Sequence, residues 1–267
     1  MSAGVTAALS TEEATIVATI GIIGGTGLEN ARPMERQALT VARTAFGDVM
    51  LSEGSTGGVD VVFVSRHGAS HETLAHHVNH RANIAALRDR GVEQVVAANA
   101  VGSLRQSLPP GQLVVLSDFI DMTRRRHEPL DPHNVGHLDF SAPYCPRLRA
   151  ALMRASETLC LDVERAAVYL SVDGPRFETP AEVRAFALLG ADVVGMTGLP
   201  EAVLAREAGL CYAAVAIVTN LAAGLSHGIV AHERVAVTAE RSAPAIWDLA
   251  VSAAAIADRA ACCRHSP

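Results

Sequence analysis

Aromatic residues make up only 4% of this 267-residue chain, and a single tryptophan is present, so its core must be built mainly from aliphatic side chains. An excess of basic residues is also missing. The formal net charge of −6 argues against a nucleic-acid backbone as partner, because such partners favour a basic surface. No uncharged apolar run reaches the roughly 18 residues of a transmembrane helix, so no membrane partner is expected.

The five cysteines are odd in number and scattered, with no Cys-x-x-Cys spacing. This usage favours a reducing cytoplasm over a disulfide or zinc framework, and a cytoplasmic location is predicted. Residues 1–17 contain two glutamates and no basic segment, which is unlike a signal peptide. They are predicted to form a disordered extension ahead of one domain at residues 18–262, because no internal repeat or linker is found.

Short apolar runs alternate with helical patterns along this domain, which indicates the α/β class. Strands are predicted at residues 18–23, 38–45, 49–53, 59–64, 94–98, 113–119, 165–172, 191–196 and 211–219. Helices are predicted at residues 79–90, 146–158, 180–189, 200–208 and 233–260. The helix at 180–189 carries a capping box, with Thr179 as N-cap and Glu182 as its partner.

Two of the apolar runs within residues 172–223 end on polar side chains, Thr197 in one case and Asn220 in the other. Ligands in α/β sheets lie outside the carboxyl ends of parallel strands. These strand ends, together with Phe177 and Glu178 in the preceding loop, are therefore interpreted as one pocket. Ordinary strand termini are the alternative.

Three earlier strands end in residues suited to holding an anion: a glycine-rich turn at 24–27, the pair Arg66-His67, and Asn99. Backbone N–H groups at such glycines can approach an anion, and Arg with His offers several hydrogen-bond donors. The turn is not a dinucleotide-binding fingerprint, because Asn30 stands where the third glycine is required. A turn without ligand and a salt-bridged surface arginine are the alternatives.

Five histidines cluster between residues 67 and 80, so a metal site must be weighed. His71-Glu72 is followed by His76 at i+5 rather than i+4, which on a helix is about 140° from the same face. No carboxylate or cysteine has a fitting spacing. No metal is predicted, and a metal-dependent hydrolase is kept only as a distant alternative.

Taken in order, several motifs closely resemble the trimeric purine nucleoside phosphorylase / methylthioadenosine phosphorylase family, 6-oxopurine type, over nearly the whole chain. They are G-G-T-G at 24–27, R-H-G at 66–68, V-N-H-R-A-N-I at 78–84, N-A-V-G-S-L at 99–104, G-P-R-F-E-T-P-A-E at 174–182, G-M-T-G-L-P-E-A-V-L at 195–204 and Asn220. The resemblance implies a single α/β domain with a central mixed β-sheet flanked by helices. It also implies a homotrimeric pentosyltransferase of purine salvage, which converts a purine nucleoside and phosphate to free base and pentose 1-phosphate. No cofactor is expected, since inorganic phosphate is a co-substrate.

The resemblance also assigns roles to individual residues. The phosphate-binding positions are Thr26, Arg66, His67, Asn99, Ala100 and Thr197. The substrate-binding positions are Phe177, Glu178, Met196, Asn220, Ala222, His232 and His137, the last of which resembles a residue that reaches the neighbouring subunit's site. Asn220, Glu178 and His67 are the implied catalytic residues.

The purine is selected by two of these positions. An amide such as Asn220 can both donate to N7 and accept from a neighbouring base atom, and an ionised Glu178 can accept from N1–H. Methylthioadenosine-cleaving relatives place Ser and Asp at the two positions. Because a mismatched base would bury an unpaired polar group, at about 1–3 kcal/mol, inosine and guanosine are predicted over adenosine.

The 5′ substituent is addressed by His232, which aligns with a histidine that bonds a 5′-hydroxyl in the 6-oxopurine enzymes. The alternatives are a methylthioinosine or methylthioadenosine phosphorylase, if His232 lies on the surface, and a non-catalytic purine-binding protein. Three positions depart from the family pattern: His80 replaces a common Tyr, Asp173 a Glu or Gln, and Ala75 a Pro.

Overall fold

The computed structural model describes residues 18–257 except 26, 29–30, 69–71, 125–127, 134–136 and 227–231. Its strands are β1 (Ala18–Gly24), β2 (Glu35–Thr44), β3 (Gly47–Thr56), β4 (Val59–Ser65), β5 (Gln94–Ser103), β6 (Leu113–Asp121), β7 (Val163–Ser171), β8 (Val193–Gly195) and β9 (Cys211–Leu221). Its α-helices are α1 (His80–Asp89), α2 (Pro146–Thr158), α3 (Pro180–Leu188), α4 (Gly198–Glu207) and α5 (His232–Ile256). A short 3-10 helix, Ala75–His77, precedes α1.

The strands form one mixed sheet in the order β2-β3-β4-β1-β5-β8-β7-β6-β9. A further parallel pairing of β5 with β9 closes the second half of the sheet into a ring. Strands β1, β4, β5 and β9 run in one direction, whereas β8 is antiparallel to β5. The predicted α/β class, with a central mixed sheet and flanking helices, is confirmed.

Hydrophobic burial explains where the elements lie. β9 is buried over nine consecutive residues, as expected for a strand covered on both faces. Helices α2 and α5 pack over one side of the sheet, where Trp247 of α5 contacts Phe63 of β4 at a ring-centroid distance of 5.9 Å. The other side is covered by α1 and α4. These layers hold the strand ends that build the site.

N-terminal capping residues define where two of the helices begin. Asn79 caps α1 by accepting a hydrogen bond from the Ala82 backbone N–H over 3.1 Å. The predicted capping box of α3 is present, because Thr179 and Glu182 each accept from the other's backbone N–H. Glu178 directly precedes this cap, so the start of α3 fixes the backbone that carries it.

The two central runs are not parallel to each other, although the interpretation of their carboxyl ends as one pocket assumed parallel strands. The run at 191–196 pairs only over Val193–Gly195, and it runs antiparallel to β5 and hence to β9. Because β8 pairs with the last residues of β5, the chain leaving β8 nevertheless turns towards the middle of β5. Thr197 and Asn220 therefore still come together, although by a different route.

Two further predictions concern the chain's environment. Cys145 and Cys160 are free thiols, whereas Cys211 is disulfide-bonded, which is an exception to the expectation that the cysteines form no disulfide framework. Within the described residues, no helix combines the length and the apolar character needed to cross a membrane.

Candidate active site

A cavity of about 430 Å³ opens where β1, β4, β5, β8 and β9 end beside α5. Nine of the predicted site residues line it: Arg66, His67, Asn99, Ala100, Phe177, Glu178, Met196, Thr197 and Asn220. The strand-end pocket inferred from the sequence is therefore a single cavity.

At one end of the cavity, the side chains of Arg66 and His67 lie close to Gly25. A Cβ placed on Gly25 would lie 3.7 Å from His67 Nε2 and 4.0 Å from Arg66 Nη1. The same Cβ would contact His67 Cδ2 at 3.3 Å. The absence of a side chain at Gly25 thus leaves open the space towards which the Arg66 Nη1 donor and His67 Nε2 converge, which is an arrangement suited to an anion.

Arg66 is buried rather than a surface arginine, with only 4% of its surface exposed. Its Nε and Nη2 donate to the two carboxylate oxygens of Glu201 over 2.8 and 2.9 Å. Its Nη1 donates to the Ala98 carbonyl over 2.8 Å. Three of the five guanidinium N–H groups are thereby held within the protein, and Nη1 and Nη2 each retain one more.

His67 has a fixed tautomer. Its Nδ1 lies 2.8 Å from the Thr73 carbonyl oxygen, and because a carbonyl can only accept, Nδ1 carries a proton. Nε2, the nitrogen nearer to Gly25, then accepts a hydrogen bond when the ring is neutral and donates one when it is charged. The neutral ring can therefore accept a hydrogen bond from a protonated phosphate oxygen, and the charged ring can donate one to an ionised phosphate oxygen.

Asn99 and Thr197 form the polar floor beside this cationic end. Both are buried, and Asn99 Nδ2 donates to Thr197 Oγ1 over 3.1 Å. The turn of Thr197 is held from below by Tyr169, whose hydroxyl accepts from the backbone N–H groups of Thr197 and Gly198 at 3.2 and 3.0 Å. Burial raises the pKa of Tyr169 above 10.0, although these hydrogen bonds lower it, so its hydroxyl remains neutral.

Glu178 and Asn220 belong to the same cavity lining. Asn220 pairs with Gly102 of β5, whereas Arg66 contacts Ala98, four residues earlier in that strand. Burial raises the pKa of the Glu178 carboxyl above its ordinary 4.5. Asn220 Nδ2 donates to the Leu221 carbonyl over 3.0 Å, which occupies one of its two N–H groups. Its Oδ1 lies 3.0 Å from the Thr219 hydroxyl. Asn220 therefore has one further N–H to offer a ligand.

An apolar wall completes the cavity, and nothing in the sequence identified it. It consists of Leu28, Ile217 and one face of α5, namely Val235, Ala239, Ala243 and Ile246. The periodic apolar pattern of α5 indicated a helix, but such a pattern does not say which residues face a cavity rather than the core. Glu201 and Tyr169 were missed as well, since both act behind the cavity surface.

Four predicted residues lie elsewhere or outside the described part. Ala222 is buried in a small hydrophobic cluster beneath α3 rather than in the cavity lining. His137 is exposed and does not line the cavity. Thr26 lies outside the described residues, and His232 begins α5 with a side chain that is not described.

The histidine cluster is organised around protein contacts. His80 is buried with Nδ1 3.6 Å from Glu201 Oε2, and the rings of His76 and His77 lie 4.1 Å apart. In the part of the chain that the structure describes, no group of three or more His, Cys, Asp or Glu side chains is placed to hold a metal ion.

Comparison with known proteins agrees with this geometry. Residues 19–255 match the family described as the Phosphorylase superfamily. The chain is 42% identical over 242 residues to the "6-oxopurine nucleoside phosphorylase" of Pyrococcus furiosus, covering 88% of this chain and 91% of the relative. It is 44% identical over 207 residues to the "Probable S-methyl-5'-thioinosine phosphorylase" of Methanopyrus kandleri, covering 77% and 80%.

A solved structure shares the fold closely. Methylthioadenosine phosphorylase from Schistosoma mansoni in complex with adenine superposes with a TM-score of 0.83 at 32% identity, over 90% of this chain and 91% of that one. Sequence family, relatives and fold agree. The chain therefore belongs to the Phosphorylase superfamily, and within it to the nucleoside phosphorylases of the 6-oxopurine type.

Proposed function

We propose that this protein catalyses the reversible phosphorolysis of inosine and guanosine to the free 6-oxopurine and ribose 1-phosphate. One observation carries the proposal: the lining of a single cavity contains both the Arg66–His67 pair and the residues Glu178 and Asn220. Phosphate fits the cationic end, and the purine fits the carboxylate and amide. The ribose then spans the space between them, where Met196 and Phe177 line the wall.

The reaction follows from this placement. The C1′–N9 bond breaks with its electron pair moving to the purine, while a phosphate oxygen forms the new bond to C1′ through an oxocarbenium-like state. Arg66 and His67 hold the phosphate beside the cationic sugar, which brings the nucleophile into position and stabilises the developing charge. The remaining N–H of Asn220 stabilises negative charge at N7, and ionised Glu178 accepts from N1–H.

The direct test is stoichiometry in the presence and absence of phosphate. Inosine with phosphate should yield hypoxanthine and ribose 1-phosphate in equal amounts, and omission of phosphate should abolish the release of base. Release of free ribose without phosphate would show a hydrolase instead. Binding of inosine without any turnover would favour the non-catalytic purine-binding alternative.

A second candidate, S-methyl-5′-thioinosine phosphorolysis, is favoured by the apolar wall that α5 contributes. Val235 and Ala239 offer apolar contacts, which suit a thioether better than a hydroxyl. The Methanopyrus kandleri relative bears that name. The substrate depends on His232, so kcat/KM for inosine and methylthioinosine should be compared in the wild type and in His232→Met. A preference of the wild type for inosine that reverses in the variant supports the 5′-hydroxyl.

The proposal includes a homotrimer that works in cytoplasmic purine salvage without any cofactor beyond its co-substrate phosphate. An exposed apolar strip on the β2–β3 hairpin, formed by Leu39, Val41 and Met50, supports a subunit contact. His137 is exposed and so is accessible to a neighbouring subunit. Light scattering after size exclusion should give three times the 27.9 kDa chain mass.

A further inference from the structure

Glu201 has no place in the reaction described above, yet it is the most enclosed charged residue of the site. It is 0% exposed and does not line the cavity. Its carboxylate accepts two hydrogen bonds from Arg66 and a third from the Tyr212 hydroxyl, over 2.8 Å. His80 Nδ1 lies 3.6 Å from Oε2. Three elements of the fold thus converge on one carboxylate.

The buried ion pair of Glu201 and Arg66 is not expected to contribute much to the stability of the fold. Removing a carboxylate and a guanidinium from water costs several kcal/mol per ion, and well-packed apolar residues of similar volume often stabilise a fold at least as well. Burial alone would raise the pKa of Glu201, but the charge and hydrogen bonds of Arg66 outweigh it and lower that pKa to about 2. The carboxylate is therefore ionised throughout the physiological pH range, and the pair calls for a role other than stability.

The geometry supplies that role. Glu201 accepts hydrogen bonds from Nε and Nη2 along one edge of the guanidinium, and the Ala98 carbonyl accepts one from Nη1. A planar group held along two edges cannot rotate. Its remaining N–H groups therefore keep a fixed direction, and Nη1 stays beside the open space at Gly25 and His67.

We propose that Glu201 is a positioning residue that orients Arg66 for phosphate. The inference rests on the proposed phosphorolysis. It makes a prediction opposite in sign to that of simple electrostatics. If Glu201 acted only through its charge, its neutralisation would relieve repulsion and tighten phosphate binding. If it positions Arg66, neutralisation loosens the guanidinium and weakens phosphate binding.

The test compares Glu201→Gln with the wild type. Glutamine preserves the volume but replaces one acceptor with an N–H₂ group that cannot receive the Arg66 fork. We expect KM for phosphate to rise about tenfold or more, while KM for inosine stays within about twofold. The stabilisation of the protein by added phosphate, measured as a shift in Tm, should shrink in parallel.

The matched control is Arg206→Met. Arg206 lies on the same helix and is similarly buried, but it bonds the Ala142 carbonyl and stacks on Phe140, away from the cavity. We expect this variant to lower Tm without changing KM for phosphate. A purely structural role for Glu201 would instead give both variants the same pattern.

The outcomes are separable. An unchanged or lower KM for phosphate in folded Glu201→Gln overturns the inference. Should that variant fail to fold, Tyr212→Phe removes one hydrogen bond from Glu201 and keeps the charge pair. It should raise KM for phosphate about two- to fivefold, and no rise would overturn the inference. If the wild type released no base, the proposed function would fail, and the phosphate-dependent Tm shift would still decide the role of Glu201.

Discussion

Asn99 and Thr197 lie 98 positions apart in the sequence, yet the amide of the first donates to the hydroxyl of the second over 3.1 Å inside the protein. The bond joins β5 to the turn that follows β8. Since Thr197 Oγ1 accepts this hydrogen bond, its own proton can be directed into the cavity beside Arg66 and His67. The Thr197 hydroxyl can therefore donate a hydrogen bond to an anion bound in the cavity.

Replacing Thr197 with valine keeps the shape and removes that donor. We expect Thr197→Val to raise KM for phosphate about 10- to 100-fold, because one hydrogen bond to a charged ligand is worth roughly 1.5–3 kcal/mol. The measurement is the initial rate against phosphate at saturating inosine. Thr158→Val, at the exposed end of α2, is the control and should leave KM unchanged. An unaltered KM in Thr197→Val would remove Thr197 from the phosphate site.

Adding one methyl group at Gly25 tests the location of the anion. The new Cβ would lie 3.3 Å from His67 Cδ2 and would enter the space in front of Arg66. We expect Gly25→Ala to raise KM for phosphate at least about fivefold while KM for inosine changes little, since the purine is assigned to Glu178 and Asn220. Titration with each substrate in turn separates the two effects. An equal loss for both substrates would contradict the separate placement of phosphate and purine.

Base selection should change with the polarity of position 220. Asn220→Asp removes the N–H₂ donor and adds a charge to the cavity lining that also contains Glu178, so the 6-oxopurine loses its hydrogen bond at N7. We expect kcat/KM for inosine to fall about 10- to 100-fold, which corresponds to roughly 1–3 kcal/mol. Asn79→Asp, at the N-cap of α1, makes the same chemical change outside the cavity and should have no effect. Full activity of Asn220→Asp would overturn the role of Asn220.

The raised pKa of Glu178 predicts opposite responses of activity and stability to pH. Since the carboxylate must be ionised to accept from N1–H, kcat/KM for inosine should fall as pH drops through the raised pKa. A pKa that is higher in the folded than in the unfolded state means that ionisation opposes folding. Stability linked to Glu178 is thus complete below its unfolded pKa and is lost as pH rises through the folded one.

Glu178→Gln should therefore have low activity without the decline at acid pH that Glu178 causes, and a higher Tm at pH 8, with little change in Tm at pH 4. Glu182 is the control, because hydrogen bonds from Arg176 and the Thr179 backbone lower its pKa to about 2. Its contribution to stability is present at neutral pH and lost in acid, so Glu182→Gln should lower Tm at pH 8. Identical shifts in the two variants would show that the pKa of Glu178 is not raised.

The sequence predicted the elements better than their pairing. The nine-residue buried run of β9 and the capping box of α3 are local patterns, and both were found where expected. The direction of β8 was not predictable, since a three-residue strand is defined by its neighbours rather than by its own residues. The motif resemblance identified nine residues that line one cavity in the structure.

The features that could not be predicted involve residues that are far apart in the sequence. Arg66 was identified as a donor, but its partner Glu201 lies 135 residues away, and no local pattern links them. The apolar wall from α5 was missed for a similar reason, because a helix buried on several faces has no single stripe that marks a cavity. The tertiary fold alone brings these groups together.

The most direct test of base recognition is a side-by-side measurement of phosphate-dependent kcat/KM for inosine, guanosine, adenosine, methylthioinosine and methylthioadenosine. Glu178 and Asn220 predict that the nucleosides of hypoxanthine and guanine exceed both adenine nucleosides by about tenfold or more. A preference for methylthioinosine would keep the base assignment and change only the 5′ substituent. A preference for adenosine or methylthioadenosine would contradict the 6-oxopurine assignment of this cavity.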